Sequence, residues 1–523
     1  MATRTARGTG SVRRVDGPSV PPRALVGAVD LLAALNLVGA LVKWFALAFL
    51  FPLALALAYG DPPWPFLVPA VTTAALGIGL ERATSGKERI GIREGYLVVA
   101  LVWLLVALLG SVPYLLSGSP QLADPVDAMF ESMSGFTTTG SSVLTDIPAL
   151  DRSLLMYRQF TQWVGGMGIV VLALAVLPRL RIGGRQALFH TEAPGPDLST
   201  FPATIRQSAR RFVGLYVGLT AAQIVVLTLL AVTGLDDAMT LFDAVAHAFS
   251  TIPTGGFSPL AGSAGDLGAA SQWALVPFMI LGGTSFALMH LGFTRLRPRA
   301  FARDDEFRAY VLILALASSL VVASVVQQGI ASGEAAVRQG VFNTVSVFTT
   351  TGYANADFNL WTSLTTFVLV AGMLISASAG STSGGIKLVR HVVIARMLRR
   401  ELDQTIHPEL VSPVRINGSA IDERALRSIV VFALLYMGTL SVGAAVILAD
   451  AARTSLALSP LEAVSAAATT LASVGPAFGV AGPMGSFEPF SDISKVALTA
   501  LMWLGRLEIV PIVVLFTRSY WRT

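Results

Sequence analysis

The chain has 523 residues, 54% of them hydrophobic and only 13% charged, with a formal charge of +5. A soluble protein carries about 25% charged residues, so the deficit points to lipid as the solvent. There is no cysteine, which excludes disulfides, thiolate nucleophiles and cysteine metal sites, and the five histidines (His190, His247, His290, His391, His407) have no partners at ligand spacing.

Residues 1–27 are polar and basic, with Arg4, Arg7, Arg13, Arg14 and Arg23. They run into a span too long for a signal-peptide core, so a cytosolic basic arm is expected, with no role in binding nucleic acid. A helix needs about 20 apolar residues to cross a hydrocarbon core of about 30 Å. Runs of that kind place an extra pair of spans in residues 28–94, at 31–58 and 65–80. The chain then reads as four units, 95–180, 207–294, 307–400 and 423–518, each a long span, a short segment, a Gly-centred loop and a second long span. The first spans are 96–116, 212–232, 310–326 and 429–448. The second are 154–177, 273–291, 364–379 (continuing towards 397) and 493–516. The short segments, 125–135, 238–250, 334–347 and 460–471, are too short to cross and are expected to be re-entrant. Irregular backbone after them is tolerable only where it lines water or protein.

Arginine and lysine crowd 82–93, 179–211, 295–308 and 387–427, whereas 236–271 has neither and carries Asp236, Asp237, Asp243 and Asp266. The positive-inside rule therefore puts both termini in the cytosol and brings all four Gly loops in from outside. The loops read FTTTGSS (136–142), TIPTGGFS (251–258), FTTTGYA (348–354) and LASVGPAFG (471–479). Aligned on the turn they offer Gly140, Gly256, Gly352 and Gly475, preceded by Thr138 and Thr139, Thr254 and Gly255, Thr350 and Thr351, and Ser473 and Val474. Any one loop could be an ordinary helix C-cap. Four in register suggest a pseudo-fourfold pore, in which backbone carbonyls replace the hydration shell of an alkali cation and each short helix points its negative C-terminal end at the ion. The expected fold is thus an all-α integral membrane protein with four tandem helix–pore-helix–filter-loop–helix repeats around a pore, plus two extra N-terminal transmembrane helices.

A run of small residues, Ser376, Ala377, Ser378, Ala379, Gly380, Ser381, Thr382, Ser383, Gly384 and Gly385, interrupts the second span of the third unit. Such residues are poor helix formers and costly at membrane depth unless they line a cavity. The run GSTSGGIK lacks the adjacent Gly-Lys-Ser/Thr of a phosphate loop. Arg506 and Glu508 lie inside the last span, where charge is usually functional; Arg506 either serves the pore or satisfies Glu508 or a carbonyl. Lys43 in the first span either snorkels or packs against a neighbour. An enzyme would need a nucleophile and base or metal ligands facing each other at membrane depth, and the spans offer no such set.

The motifs HAFSTIPTGGFS (247–258), FTTTGY (348–353), AGSTSGGIKLVR (379–390), SVGPAFG (473–479) and LGRLEI (504–509) give the chain its resemblance to the Trk/Ktr/HKT superfamily of potassium transporters. From about residue 28 onward it resembles the Trk-type membrane subunit, TrkH. That resemblance implies potassium uptake through a selective pore, since glycine at all four filter positions goes with potassium selectivity, and potassium ions in the filter as the only bound species. It implies that Ser376 to Gly385, with Lys387, form a flexible intramembrane gating loop beneath the filter, and that Arg506 faces the pore near it. It further implies a homodimer in a bacterial inner membrane, docked on a cytosolic ring of TrkA-type nucleotide-binding subunits in which ATP/ADP or NAD is sensed. The basic stretches 179–211 and 295–308, and the stretch after Lys387, are where that partner would dock. The chain has no G-x-G-x-x-G following a strand with which to bind nucleotide itself. Ala477 departs from the glycine expected after Gly475-Pro476. A proton- or sodium-coupled symporter remains the open alternative, although repeats that all enter from one side favour a channel-like path over the inverted repeats of carriers.

Overall fold

The computed structural model describes residues 29–84, 91–175 and 201–522. The expected basic arm (1–27) and residues 179–200 of the basic stretch lie outside the described residues. The described residues are mainly helical, and the strands among them are a two-residue antiparallel hairpin, Arg415–Ile416 with Ser419–Ala420.

Long apolar segments become helices because lipid offers their backbone no partner other than itself. Among the described residues six are long and apolar enough to cross a membrane: α1 (Leu31–Tyr59), α2 (Trp64–Ala83), α3 (Ile92–Leu116), α6 (Phe201–Val232), α10 (Asp305–Gln327) and α14 (Glu423–Thr454). Their outward side chains, such as Leu57, Val71, Leu108, Leu229, Leu312 and Leu434, are exposed, as expected of a surface turned to lipid tails.

Between the long helices lie four short ones, α4 (Pro125–Phe136), α7 (Leu241–Thr251), α11 (Gly333–Phe348) and α15 (Pro460–Ala472). Three start on side-chain caps: Asp124 accepts from the Val126 N–H, Thr240 from Asp243 and Ser459 from Glu462. In the last two the acidic residue returns the bond, which fixes where the helix begins. At about 1.5 Å per residue none can cross a bilayer. All four are buried over their C-terminal turns, among two large apolar clusters that surround the loops they feed.

The second spans differ from one another. Only α5 (Arg152–Ala175) is continuous. In the second unit α8 (Ala269–Gly282) and α9 (Phe286–Thr294) meet at 103°, and in the fourth α16 (Asp492–Arg506) and α17 (Val510–Phe516) meet at 108°. In the third, α12 (Ser363–Ile375) stops, and α13 (Leu388–Ile406) resumes after the small-residue run. The spans expected as continuous over 273–291 and 493–516 are therefore broken. Hydropathy reports that a segment is apolar and is blind to its direction.

Candidate ion pathway

The four Gly loops share one backbone. One to three residues past the end of each short helix comes a residue with left-handed φ, Thr138 (φ 54°), Thr254 (55°), Thr350 (58°) or Ser473 (56°), and two residues later a glycine, Gly140 (84°), Gly256 (78°), Gly352 (85°) or Gly475 (117°). The intervening Thr139, Gly255, Thr351 and Val474 have no positive φ. Their N–H groups bond back to the carbonyls of Ser134, Ser250, Ser346 and Thr469 at 2.8, 2.8, 2.8 and 2.9 Å. A non-glycine residue pays roughly 1–2 kcal/mol to be left-handed, so four in succession are held there by their surroundings.

The loops also close on one another. A Cβ on Gly140 would strike the carbonyl oxygen of Gly255, one on Gly256 that of Thr351, and one on Gly352 that of Val474; one on Gly475 would lie 3.0 Å from that of Thr139. Each glycine thus abuts the residue that precedes the next loop's glycine, and the fourth loop returns to the first. All twelve candidate filter residues meet in this one ring. The four glycines line a cavity of about 210 Å³, with Ser141, Ser258 and Pro476 among its other walls.

Side chains behind the ring set its shape. Thr137 and Thr139 share a hydroxyl bond (2.8 Å), as do Thr349 and Thr351 (2.7 Å). Gly255 lacks a side chain, and Gln162 from α5 fills the place: its Nε2 donates to the Gly255 carbonyl (2.7 Å) and its Oε1 accepts from the Phe257 N–H (3.1 Å). His247 contacts the Asp243 carbonyl (2.8 Å) and Ser258 Oγ (3.2 Å), and no group of three or more potential metal-ligating side chains occurs among the described residues.

On the other side of the ring from the cavity, residues 376–387 thread beneath the left-handed threonines. The Ser378 N–H bonds to the Gly283 carbonyl (3.0 Å), and the Phe286 N–H to the Gly380 carbonyl (3.1 Å), so the run seats itself in the break of the second unit. Thr382 Oγ1 lies 3.2 Å from Thr254 Oγ1, and the Gly384 N–H donates to Thr350 Oγ1 (3.1 Å). Gly384 is pressed so closely on the Ala472 carbonyl and Ser473 that a side chain there would collide. Glu306 of α10 accepts from the Ala379 (2.6 Å) and Val389 (3.1 Å) N–H groups at either end, Ser376 Oγ donates to the Ile386 carbonyl (2.7 Å), and the Lys387 ammonium donates to the Ser383 carbonyl.

Arg506 is 3% exposed and donates from Nη1 to the Thr382 carbonyl (2.8 Å). Its partner is thus a carbonyl of the small-residue run, whereas Glu508 pairs with Arg390 at 2.5 Å. Glu508 and Ile509 both take left-handed φ, 59° and 57°, at the corner between α16 and α17. Of the two expectations for Lys43, packing against a neighbour is the one seen: it pairs with Glu81 of α2 at 2.5 Å. Sequence reasoning missed the buried pair Glu131–Arg158 (2.7 Å) behind the first loop and the role of Gln162. The available signal was an ionisable residue inside a short apolar helix and another inside the following span, each a functional candidate at membrane depth.

The profile of the TrkH family, described as cation transport protein, matches residues 69–522. The chain belongs to the TrkH family. It is 34% identical over 94% of its length to the Trk system potassium uptake protein TrkH of Halomonas elongata, all of which is covered. It is 32% identical over 94% of its length to the protein of the same name from Escherichia coli, of which 99% is covered. Among solved structures it is similar to the potassium transporter TrkH from Vibrio parahaemolyticus, with a TM-score of 0.84 and 31% identity over 94% of this chain and all of that one. With its apolar helices, the TrkH-family chain is a multi-pass membrane protein and not an enzyme.

Proposed function

We propose that the chain is the pore-forming subunit of a Trk-type potassium uptake system, and that the ring of four loops is its selectivity filter. The observation that carries this reading is the closed circuit of contacts, each glycine against the carbonyl before the next glycine. A dehydrated potassium ion on the axis would be met by carbonyls of Thr139, Gly255, Thr351 and Val474, with those of Thr138, Thr254, Thr350 and Ser473 below, in place of water. Four short helices direct partial negative charge of about half a unit each to the same region. The run Ser376 to Gly385, with Lys387 and Arg506, is the gate: it lies directly under the hydroxyls of Thr254 and Thr350, with a buried cation fixed to its carbonyl. A cationic group near the axis repels potassium more strongly than it would in water, because the local dielectric is lower. In this reading the glycine loops enter from outside, both termini are cytosolic, and the membrane is the bacterial inner membrane. A homodimer carries one pore per subunit, and a TrkA-type ring, which binds the nucleotide, docks on the basic cytosolic face.

Reversal potentials of the purified protein in liposomes test this. A channel-like path gives a potential that follows the potassium gradient alone. A potential that moves with a proton or sodium gradient at fixed potassium would replace this reading with coupled symport.

A further inference from the structure

The four loops share a backbone, yet the groups that tie each to its short helix differ. The tie comes from nine or ten residues before the filter glycine and catches the chain two or three residues after it. In the second unit His247 meets Ser258 Oγ (3.2 Å). In the third Asn343 Nδ2 donates to Asn355 Oδ1 (2.6 Å), and in the fourth Ser465 Oγ accepts from the Phe478 N–H (3.0 Å). In the first the tie is a full charge: Glu131, completely buried, accepts from Ser142 Oγ (3.0 Å) and the Val143 N–H (3.2 Å).

That carboxylate is paired with Arg158 of α5, the one unbroken second span. Arg158 Nε donates to Glu131 at 2.8 Å and Nη2 lies 2.7 Å from the same oxygen, with side-chain exposures of 1% and 0%. The guanidinium does not stop there. It reaches Ser142 Oγ of the first loop (3.3 Å) and the Ser258 carbonyl of the second (3.3 Å), lies 4.2 Å from the centre of the Phe257 ring, and borders the cavity over the ring. One rigid fork therefore holds two adjacent filter loops, and arginine's planar geometry suits that task where a lysine's point charge would not.

We propose that the Glu131–Arg158 pair is a positioning device that sets ion selectivity, by locking the first two filter loops at the spacing that suits potassium. The proposal rests on the assignment of the glycine loops as the filter. A buried pair of this kind contributes little net stability compared with an apolar replacement, so its use is geometric: it fixes the carbonyls of Thr139 and Gly255 relative to each other. Its charges also cancel at the mouth of the ring, so either partner alone would leave a net field on entering ions.

The experiment is the potassium-to-sodium permeability ratio, per folded molecule in liposomes, for Glu131→Gln, Arg158→Lys and Ser142→Ala. Ser142→Ala removes the hydroxyl that joins the pair to the first loop and leaves both charges, which keeps the test open if the charge variants fold poorly. An about tenfold fall in the ratio, equivalent to roughly 1.4 kcal/mol of relative ion stabilisation, is expected for Glu131→Gln, and smaller falls for the other two. Lys495→Met breaks another, partly buried pair, Lys495–Asp127 at 2.5 Å, one turn nearer the start of the same short helix; it is expected to lower stability and leave the ratio unchanged. An unchanged ratio in Ser142→Ala and Arg158→Lys, with Gly140→Ser measured alongside and altered, overturns the proposal and spares the filter. If Gly140→Ser also leaves the ratio unchanged, the filter assignment falls first.

Discussion

The two halves of the pathway are built on opposite plans. At the glycine ring φ of Thr138, Thr254, Thr350 and Ser473 agrees to within a few degrees and the bond that closes each turn to 0.1 Å, with Gly475 alone among the four glycines set apart, at 117°. The four second spans, by contrast, do not follow one plan: one is straight, two are bent at 103° and 108°, and one is interrupted by the small-residue run. Under the proposed reading, with a filter above and a gate below, the difference follows from what each half must do. Surrounding a spherical ion requires near-equal ligands on all sides, so any departure in one unit reduces coordination for the whole ring. Blocking a path requires only one movable part, and a single asymmetric insertion suffices.

The largest effect is expected where the symmetric half is broken outright. In Gly352→Ala the new Cβ would meet the Val474 carbonyl, and φ of 85° is unfavourable for alanine. Potassium flux should fall to background while detergent-extracted yield stays measurable; retained flux with retained selectivity would mean that Gly352 is not in the ring. Next is Gly140→Ser, which crowds one of four positions and adds a hydroxyl ligand. Its Cβ would meet the Gly255 carbonyl in the same way, so flux should fall as well, with the hydroxyl ligand keeping part of it; the potassium-to-sodium permeability ratio of the remaining flux in liposomes should drop, and an unchanged ratio would remove Gly140 from the filter.

In the asymmetric half, deletions within 376–385 and the substitution Arg506→Ala should raise basal potassium flux severalfold and leave selectivity alone, because they act below the coordinating carbonyls. Flux per folded molecule, measured by rubidium uptake into liposomes, separates this from a loss of protein. Lower or unchanged flux in both variants with normal yield would sink the gate assignment and leave the filter standing.

How legible each half was in the sequence follows the same divide. The glycine ring could be read because its determinants are local: a small polar residue two places before a glycine (Thr-Thr-Gly, Thr-Gly-Gly, Thr-Thr-Gly and Ser-Val-Gly) after an amphipathic run too short to cross. The short helices start and stop within a few residues of their sequence-based limits, at Pro125–Phe136, Leu241–Thr251, Gly333–Phe348 and Pro460–Ala472, since caps and turn residues mark both ends. The run at 376–385 was visible for the opposite reason, as composition out of place in a span. The bend at Glu508 and Ile509 was not, because neither residue favours left-handed φ by itself; the corner is held by packing and by Arg390, more than a hundred residues away. Likewise Arg158 has its partners in two other segments, Glu131 and the Ser258 carbonyl, which sequence spacing does not connect.

The smallest effect asks whether the proposed gate has one tie or two. Arg506 holds the run directly at the Thr382 carbonyl, while Glu508 holds it at one remove, through Arg390 three residues past Lys387. Glu508→Gln keeps a hydrogen-bond acceptor for Arg390 and removes only the charge, so the Arg390 guanidinium, stacked 3.9 Å from the centre of the Phe432 ring, stays partly satisfied. Basal flux should therefore rise less than in Arg506→Ala. The double variant is the informative one. If both ties restrain a single loop, losing the first leaves little for the second to hold, and the combined rise in the logarithm of flux falls short of the sum of the single effects. If the effects simply add, Glu508 acts on the bend between α16 and α17 independently of the loop. The inner half then has two moving parts.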